Sequence, residues 1–430
     1  MTRIDERVST HVYKVKRISK EEMESIAGVC VYDQPPFCNA ACPLKLDVKA
    51  MLKAAAENDF KKAFKIYESI APFPLILSAG CGAPCEEKCR LCELGDGIAI
   101  GDIERAVALS GGAGEKRSIF RVRKKKKAAV FGSGLFALLL AGELEKKGYP
   151  VTAICGEADE EEYLRVAAGF LREDDFYTEL KRLRGKDIAF EFNAEMTREL
   201  FEEKRGGFDV LCASEKAALD IFPGAVRDEG IMLMESEGLL TGGGETVLEA
   251  ALGARKAALT ADRLAQGIDP RSARGEEGPV TSRLYTNPDL ARGLIRIKGC
   301  ESGYTREQAA EEAGRCMQCH CDECLRGCAY LRRFNKHPGL LSREIYNNTQ
   351  IIMGDHPLNR AMNACALCGQ CTVTCPHGFD MAHVCRTARE NMVDTDKMPL
   401  AAHEFALLDM LFSNGEAYLC RKQPGHSHCR

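Results

Sequence analysis

The sequence predicts a multidomain α plus α/β protein, with a helical, cysteine-rich segment at each end and one β–α–β unit between them. Three observations carry this. Sixteen of the 22 cysteines gather at two places in the chain. Apolar residues recur at helical spacing around both places. In the middle, a short apolar run passes through a glycine-rich turn into an apolar helix.

Composition bounds the reading. The chain has 430 residues, 45% of them hydrophobic and 28% charged, so several domains with real cores are expected. A formal net charge of −4 gives no attraction for nucleic acid or anionic lipid. Residues 1–17 lack the apolar core of a secretory signal, and the longest apolar run, 135–141, is far too short to span a bilayer. A cytoplasmic protein without membrane insertion is expected.

Seven cysteines lie between Cys30 and Cys92 and nine between Cys316 and Cys375, whereas the intervening stretch holds only Cys155, Cys212 and Cys300. At spacings of two or three residues, neighbouring thiols suit a metal that collects several thiolates at one point better than they suit disulfides. Cys420, Cys429, His426 and His428 belong to a tail read as lacking structure. His320, His377 and His383 read as surface histidines.

Cys365-x2-Cys368-x2-Cys371-x3-Cys375-Pro376 is the run that binds [4Fe-4S] clusters in bacterial ferredoxins, with its last cysteine serving a second cluster. Gly369 allows the backbone to approach a cubane closely. Zinc sites with four cysteines more often use two separated pairs. A partner run stands upstream: Cys316, Cys319, Cys321, Cys324 and Cys328 offer five thiols for four positions. Either Cys321 is spare, or Cys321 is a ligand and Cys316 or Cys319 is spare. Cross-ligation places Cys328 with Cys365, Cys368 and Cys371, and Cys375 with three cysteines of the upstream run. Residues 341–352 carry helical periodicity between the runs.

The N-terminal group reads Cys30-x7-Cys38-x3-Cys42-Pro43, then helices near 48–57 and 60–70 behind a cap at Asp47, then Cys81-x3-Cys85-x3-Cys89-x2-Cys92. This order, with the segments NDFKKAFKIYESIAPFPLI and IAIGDIERAV, resembles the N-terminal domain of the glutamate synthase small subunit and the iron–sulfur domain of dihydropyrimidine dehydrogenase. The resemblance implies a helical domain with two [4Fe-4S] clusters. By position it assigns Cys30, Cys38 and Cys92 to one cluster and Cys42, Cys85, Cys89 and Glu104 to the other, and matches Cys81 to a family cysteine that is not a ligand. Asp33 stands where the family has a cysteine. A carboxylate binds iron more weakly than a thiolate, so Asp33 is either a ligand or the mark of a labile or three-iron cluster.

The middle of the chain opens with the basic run 121–127, read as a solvated linker. The apolar residues 128–131 lead into Gly132-Ser133-Gly134-Leu135-Phe136-Ala137, an apolar helix and a second strand at 151–154. This is the dinucleotide-binding fingerprint, in which Gly132, Gly134 and Ala137 let a pyrophosphate meet a helix N-terminus. The same resemblance continues through GLLTGGGETVLEAALGARKAALTADRLAQG, which is similar to the family's FAD-contact segment, and GYTREQAAEEAGRCMQC. It departs in three places. Cys155 replaces the acidic ribose ligand, leaving Glu157 nearby. The expected Gly-Asp pair reads Gly243-Gly244, with Glu245 next. The family's NAD(P)H-binding insertion is missing, and no second G-x-G-x-x-G occurs.

The expected architecture is therefore a helical two-cluster iron–sulfur domain at 1–122, a single shrunken Rossmann domain of FAD type at 123–268, a linker at 269–303 and a helical ferredoxin-like dicluster domain at 304–430. The expected function is electron relay through about four [4Fe-4S] clusters in an anaerobic redox complex, with a weakened FAD site and with other redox subunits or ferredoxin-type carriers as partners. A complete NAD(P)H-dependent FAD oxidoreductase and a docking subunit with a vestigial nucleotide domain are the alternatives.

Overall fold

The computed structural model describes residues 18–110, 123–272, 274–299, 303–351 and 357–394. Cys300, Cys420, Cys429, His426 and His428 lie outside them, as does part of the basic linker. The chain forms two compact units. One comprises residues 35–319. The other joins residues 1–34 to residues 320–430. Among the described residues, no helix is long and apolar enough to cross a membrane.

The larger unit contains a six-stranded mixed sheet. Its strands are β1 (Ala128–Phe131), β2 (Val151–Ile154), β3 (Ile188–Glu191), β4 (Val210–Ser214), β5 (Leu233–Met234) and β6 (Leu239–Gly242). They lie in the order β3-β2-β1-β4-β6-β5, all parallel except the β5–β6 pair. Strands β1 and β4 are buried along their whole length, as expected for a parallel sheet covered on both faces. Alternation along β1 sorts the layers: Ala128 and Val130 pack into one core, Ala129 and Phe131 into another. The first core lies under the helices Leu135–Lys146 and Val247–Ala265, the second under Arg198–Arg205 and Glu215–Ile221.

The helix Leu135–Lys146 is buried on nearly every side because it packs on the sheet, on Val247–Ala265 and on Glu160–Ala168. A second layer of helices comprises Val48–Ala56, Phe60–Glu68, Pro74–Gly80, Ile100–Ser110 and Arg306–Gly314. Asp47 and Asp59 cap the first two, each accepting a backbone N–H from three residues on. The two layers share one core, and Gly142 is a point of close approach. A Cβ there would stand 2.7 Å from Pro72 Cβ.

A buried ion pair closes this unit. Glu312 is fully buried on the helix Arg306–Gly314, and Arg315 just beyond it is nearly so. Glu312 accepts from Ala99 N–H at 3.0 Å and from Ile297 N–H at 2.9 Å. Arg315 donates to Glu312 at 2.5 Å and to the carbonyl of Asp96 at 2.6 Å. Three segments distant in sequence thus meet on one carboxylate–guanidinium pair.

The smaller unit is helical. Lys20–Ala27 packs on Pro338–Ile351, with Glu24 accepting from Arg343 at 2.9 Å. Around them stand Glu323–Gly327, Ala329–Phe334, Pro357–Ala364, Gln370–Thr374 and Met381–Asp394. Their shared core includes Met23, Leu331, Leu341, Ile345, Phe379 and Val384.

Removing one member of a buried, fully bonded ion pair costs about 3–5 kcal/mol, because its partner keeps the desolvation penalty. Glu312→Ala is expected to destabilise the protein by that amount in reversible denaturant unfolding. A loss below about 1 kcal/mol, the scale of an exposed pair, would show that the pair does not hold the unit together.

Candidate metal centres

In the larger unit, four thiols line one cavity of about 360 Å³, counted out to its open mouth: Cys38, Cys89, Cys316 and Cys319. Cys38 sits on the short helix Phe37–Ala41, and Cys89 precedes the turn Arg90–Glu93. Cys316 and Cys319 follow the Glu312–Arg315 pair. Between them Gln318 adopts a left-handed conformation, φ +49°. Its side-chain amide donates to Cys316 Sγ and to the carbonyl of Lys49, both at 3.3 Å, while Lys49 Nζ donates to the carbonyl of Cys319 at 2.9 Å. The loop is thereby tied to the helix Val48–Ala56. Burial drives the Cys38 thiol pKa upward, and the neighbouring Cys316, Cys319 and Cys89 add to the effect; burial likewise pushes Cys316 up to about 11.

A second group faces inward from the helix ends nearby: Cys42, Cys81, Cys85 and Glu104. The turn between Pro74–Gly80 and Pro84–Glu87 puts Gly82 (φ +68°) and Ala83 (φ +45°) in left-handed conformations, which bring Cys81 and Cys85 round to one side. Leu46 N–H donates to Cys42 Sγ at 3.4 Å. Glu104, on Ile100–Ser110, is buried, and desolvation raises its pKa to about 8; the Tyr67 hydroxyl beside it opposes the rise. Cys81, which the resemblance assigns no ligand role, stands within the field of Glu104 and Cys42.

Cys92 is exposed and donates to the carbonyl of Glu86 at 3.4 Å. Its charged neighbours are Cys89 and Arg296.

In the smaller unit, Cys30, Cys321, Cys324 and Cys375 act on one another electrostatically, and burial pushes Cys321 up to about 11 and Cys324 to about 12. Cys30 accepts from the backbone at Gly339, which opens the helix Pro338–Ile351. A Cβ on Gly339 would meet Cys30 Cβ at 2.9 Å. The helices carrying Cys324 and leading to Cys375 also approach closely, with Gly327 under Thr374. Asp33 is exposed, and its charge acts on Cys30, His337 and Arg343.

Around the second run, Leu367 (φ +57°) and Gly369 (φ +74°) wrap the chain between Cys365, the exposed Cys368 and the buried Cys371. Cys328 and Cys365 pack against the same apolar core as Cys371. Arg389 donates to the carbonyls of Cys365 and Met362 and so fixes the start of the run. Fully buried Cys385 adjoins Cys365 and lies 3.6 Å from the Tyr330 hydroxyl.

In the sheet, Gly132 (φ +84°) lies under Ser214, and Gly134 (φ +96°) caps Leu135–Lys146 with nothing within 4 Å of an added Cβ. Ala137 is fully buried in that helix. Glu157 follows β2. Its Oε2 is buried and has no hydrogen-bond partner among the described residues. Gly243 rests against the Glu215 carboxylate, and exposed Glu245 donates its N–H to Glu249.

Buried thiols and a carboxylate gathered by tight left-handed turns are the donor set of an iron–sulfur protein. Comparisons agree. Residues 7–112 match the dihydropyrimidine dehydrogenase domain II, 4Fe-4S cluster family, and residues 315–380 match a 4Fe-4S dicluster domain. The chain therefore carries two iron–sulfur domains. It is 28% identical over 230 residues to the NADPH-Fe(3+) oxidoreductase subunit beta of Geobacter sulfurreducens, covering 50% of this chain and 33% of that one. It is 28% identical over 159 residues to the NADP(+)-dependent formate dehydrogenase subunit beta of Moorella thermoacetica (31% and 21% covered), and 29% identical over 146 residues to the glutamate synthase [NADPH] small chain of Azospirillum brasilense (31% and 29%). The chain thus spans a third or less of the length of these relatives.

Glu104 yields a pH signature in protein stripped of iron. Its carboxyl ionises near 4.5 when unfolded and near 8 when folded. The folded state holds the proton more tightly, so the contribution is complete below pH 4.5, is lost as pH rises to 8, and is level beyond. At ~1.4 kcal/mol per pKa unit, the decline is about 3–5 kcal/mol. Denaturant unfolding of iron-stripped protein at pH 5 and pH 8 should show this decline, and Glu104→Gln should flatten it. An equal decline in both proteins would place the titration elsewhere.

Proposed function

We propose that this chain is an electron-relay subunit of an NAD(P)H-linked oxidoreductase complex, passing electrons through about four [4Fe-4S] clusters held by its two cysteine groups and Glu104. The observation that carries the reading is the gathering of buried and half-buried thiols, with the exposed Cys368, into groups along one chain. Clusters transfer one electron at a time, and burial with hydrogen bonds to sulfur tunes their potentials. Gln318 on Cys316, the Leu46 N–H on Cys42 and the backbone at Gly339 on Cys30 supply donors of that kind. The relatives' names, which carry NADPH or NADP(+) and denote subunits, support NADP(H) as the nucleotide of the complex and other redox subunits as partners; ferredoxin-type carriers are the further partners proposed.

The parallel strands β3-β2-β1-β4 form a Rossmann-type half, whose order reverses between β1 and β4, where ligands bind in such sheets. The residues there fit a dinucleotide: Gly134 leaves an open helix N-terminus for a pyrophosphate, and the buried, unbonded Glu157 Oε2 is an acceptor suited to a ribose hydroxyl. A bound FAD would exchange two-electron for one-electron chemistry. Cys155 in place of the acidic ligand and Gly244 in place of the aspartate each remove a charged hydrogen bond, which lowers affinity by about 1.5–3 kcal/mol apiece.

A complete NAD(P)H oxidoreductase is the second reading. Against it stands the connection from β4 to β6, which holds only Glu215–Ile221 and the two-residue β5, too little for a βαβ unit of about 30 residues.

Anaerobically reconstituted chain is expected to bind about 16 iron and equal sulfide, four per cluster. Addition of NADH or NADPH to the isolated chain should leave the visible cluster absorbance unchanged, whereas dithionite should bleach it. Saturation near half that iron, or stoichiometric bleaching by either nucleotide, would overturn the reading.

A further inference from the structure

We infer that Cys38, Cys89, Cys316 and Cys319 form a single [4Fe-4S] site, so that the cluster of the N-terminal iron–sulfur domain is completed by the first two cysteines of the C-terminal run. This deepens the electron-relay reading and rests on it.

The four thiols line one cavity in the larger unit, with Leu52, Leu91 and Ile98 as its apolar wall. The spacing favours a cluster over a single ion. Zinc needs four sulfurs within about 2.3 Å of one point. Among the described residues, no three His, Cys, Asp or Glu side chains are placed to hold one metal ion. A cubane sets its ligands apart by its own width. The loop bearing Cys316 and Cys319 is also held in place independently of any metal, by Lys49, Gln318 and the Glu312–Arg315 pair.

The assignment settles the surplus of cysteines. With Cys316 and Cys319 engaged in the larger unit, Cys321 and Cys324 remain to join Cys375 in the smaller one, and Cys30 is the fourth thiol of that group. Asp33 and Cys92 are then not required as ligands, in keeping with their exposure.

Additivity of iron loss tests this in the full chain. Cys38→Ala, the pair Cys316→Ala/Cys319→Ala, and all three together should each lose the same four or so iron atoms, about one cluster. The pair combined with Cys375→Ala should lose about eight, two clusters' worth. Loss of about eight in the first combination and about four in the second would assign Cys316 and Cys319 to the Cys375 cluster and overturn the inference. Should the multiple variants fail to fold, Cys92→Ala and Asp33→Asn decide. Both should retain the parental iron and sulfide content, and loss of a cluster in either would restore Asp33 and Cys92 as ligands. A parent chain that binds no iron would instead refute the electron-relay reading itself.

Discussion

The buried pair of Glu312 and Arg315 is the constraint on which the larger unit depends. Its carboxylate accepts two backbone N–H groups from segments far apart in sequence, and its guanidinium reaches a carbonyl beside one of them. Each group alone would be prohibitively desolvated. Together, with their remaining hydrogen-bonding capacity used by the backbone, they form a rigid junction. Cys316 is the next residue after Arg315, so the junction also sets where the chain delivers its thiols. Stability and metal-site geometry rest on one interaction.

The thiol groups carry the opposite tendency. Burial raises the pKa values of Cys38, Cys85, Cys316 and Glu104, so these groups hold protons in the absence of a cation. Metal ligation must expel those protons, which couples cluster binding to pH and to folding. Ordered donors at the loops, such as Gln318 on Cys316, offset part of that cost by favouring the thiolate.

Much of this was legible in the residues because it is local. The Cys365–Cys375 run sets its own wrap through Leu367 and Gly369, and β1, the glycine turn and the following helix are consecutive. The helix 48–57 expected from its Asp47 cap runs Val48–Ala56. What was not legible depends on long-range closure. Nothing in the local sequence marks Glu312 and Arg315 as a buried pair. The placement of Cys81 beside Cys42 and Glu104 follows left-handed Gly82 and Ala83, which spacing does not show. Cys30 and Cys38 are close in sequence yet fall in different units, and so do Cys319 and Cys321. Counting spacings cannot reveal such divisions.

The division of the chain at residues 34 and 319 also has a meaning in time. A ribosome delivers Cys38 and Cys89 long before Cys316 and Cys319, and Cys30 long before Cys321. The four-thiol cavity of the larger unit is therefore complete only once the chain has been made through Cys319, and the smaller unit must wait longer still for its second segment. Residues 18–34 stay without that second segment while residues 35–319 are synthesised. Maturation of these two groups is thus weighted toward the end of translation, and the C-terminal portion of the chain determines when Cys30, Cys38 and Cys89 acquire their neighbours, whereas Cys42, Cys81 and Cys85 find theirs early.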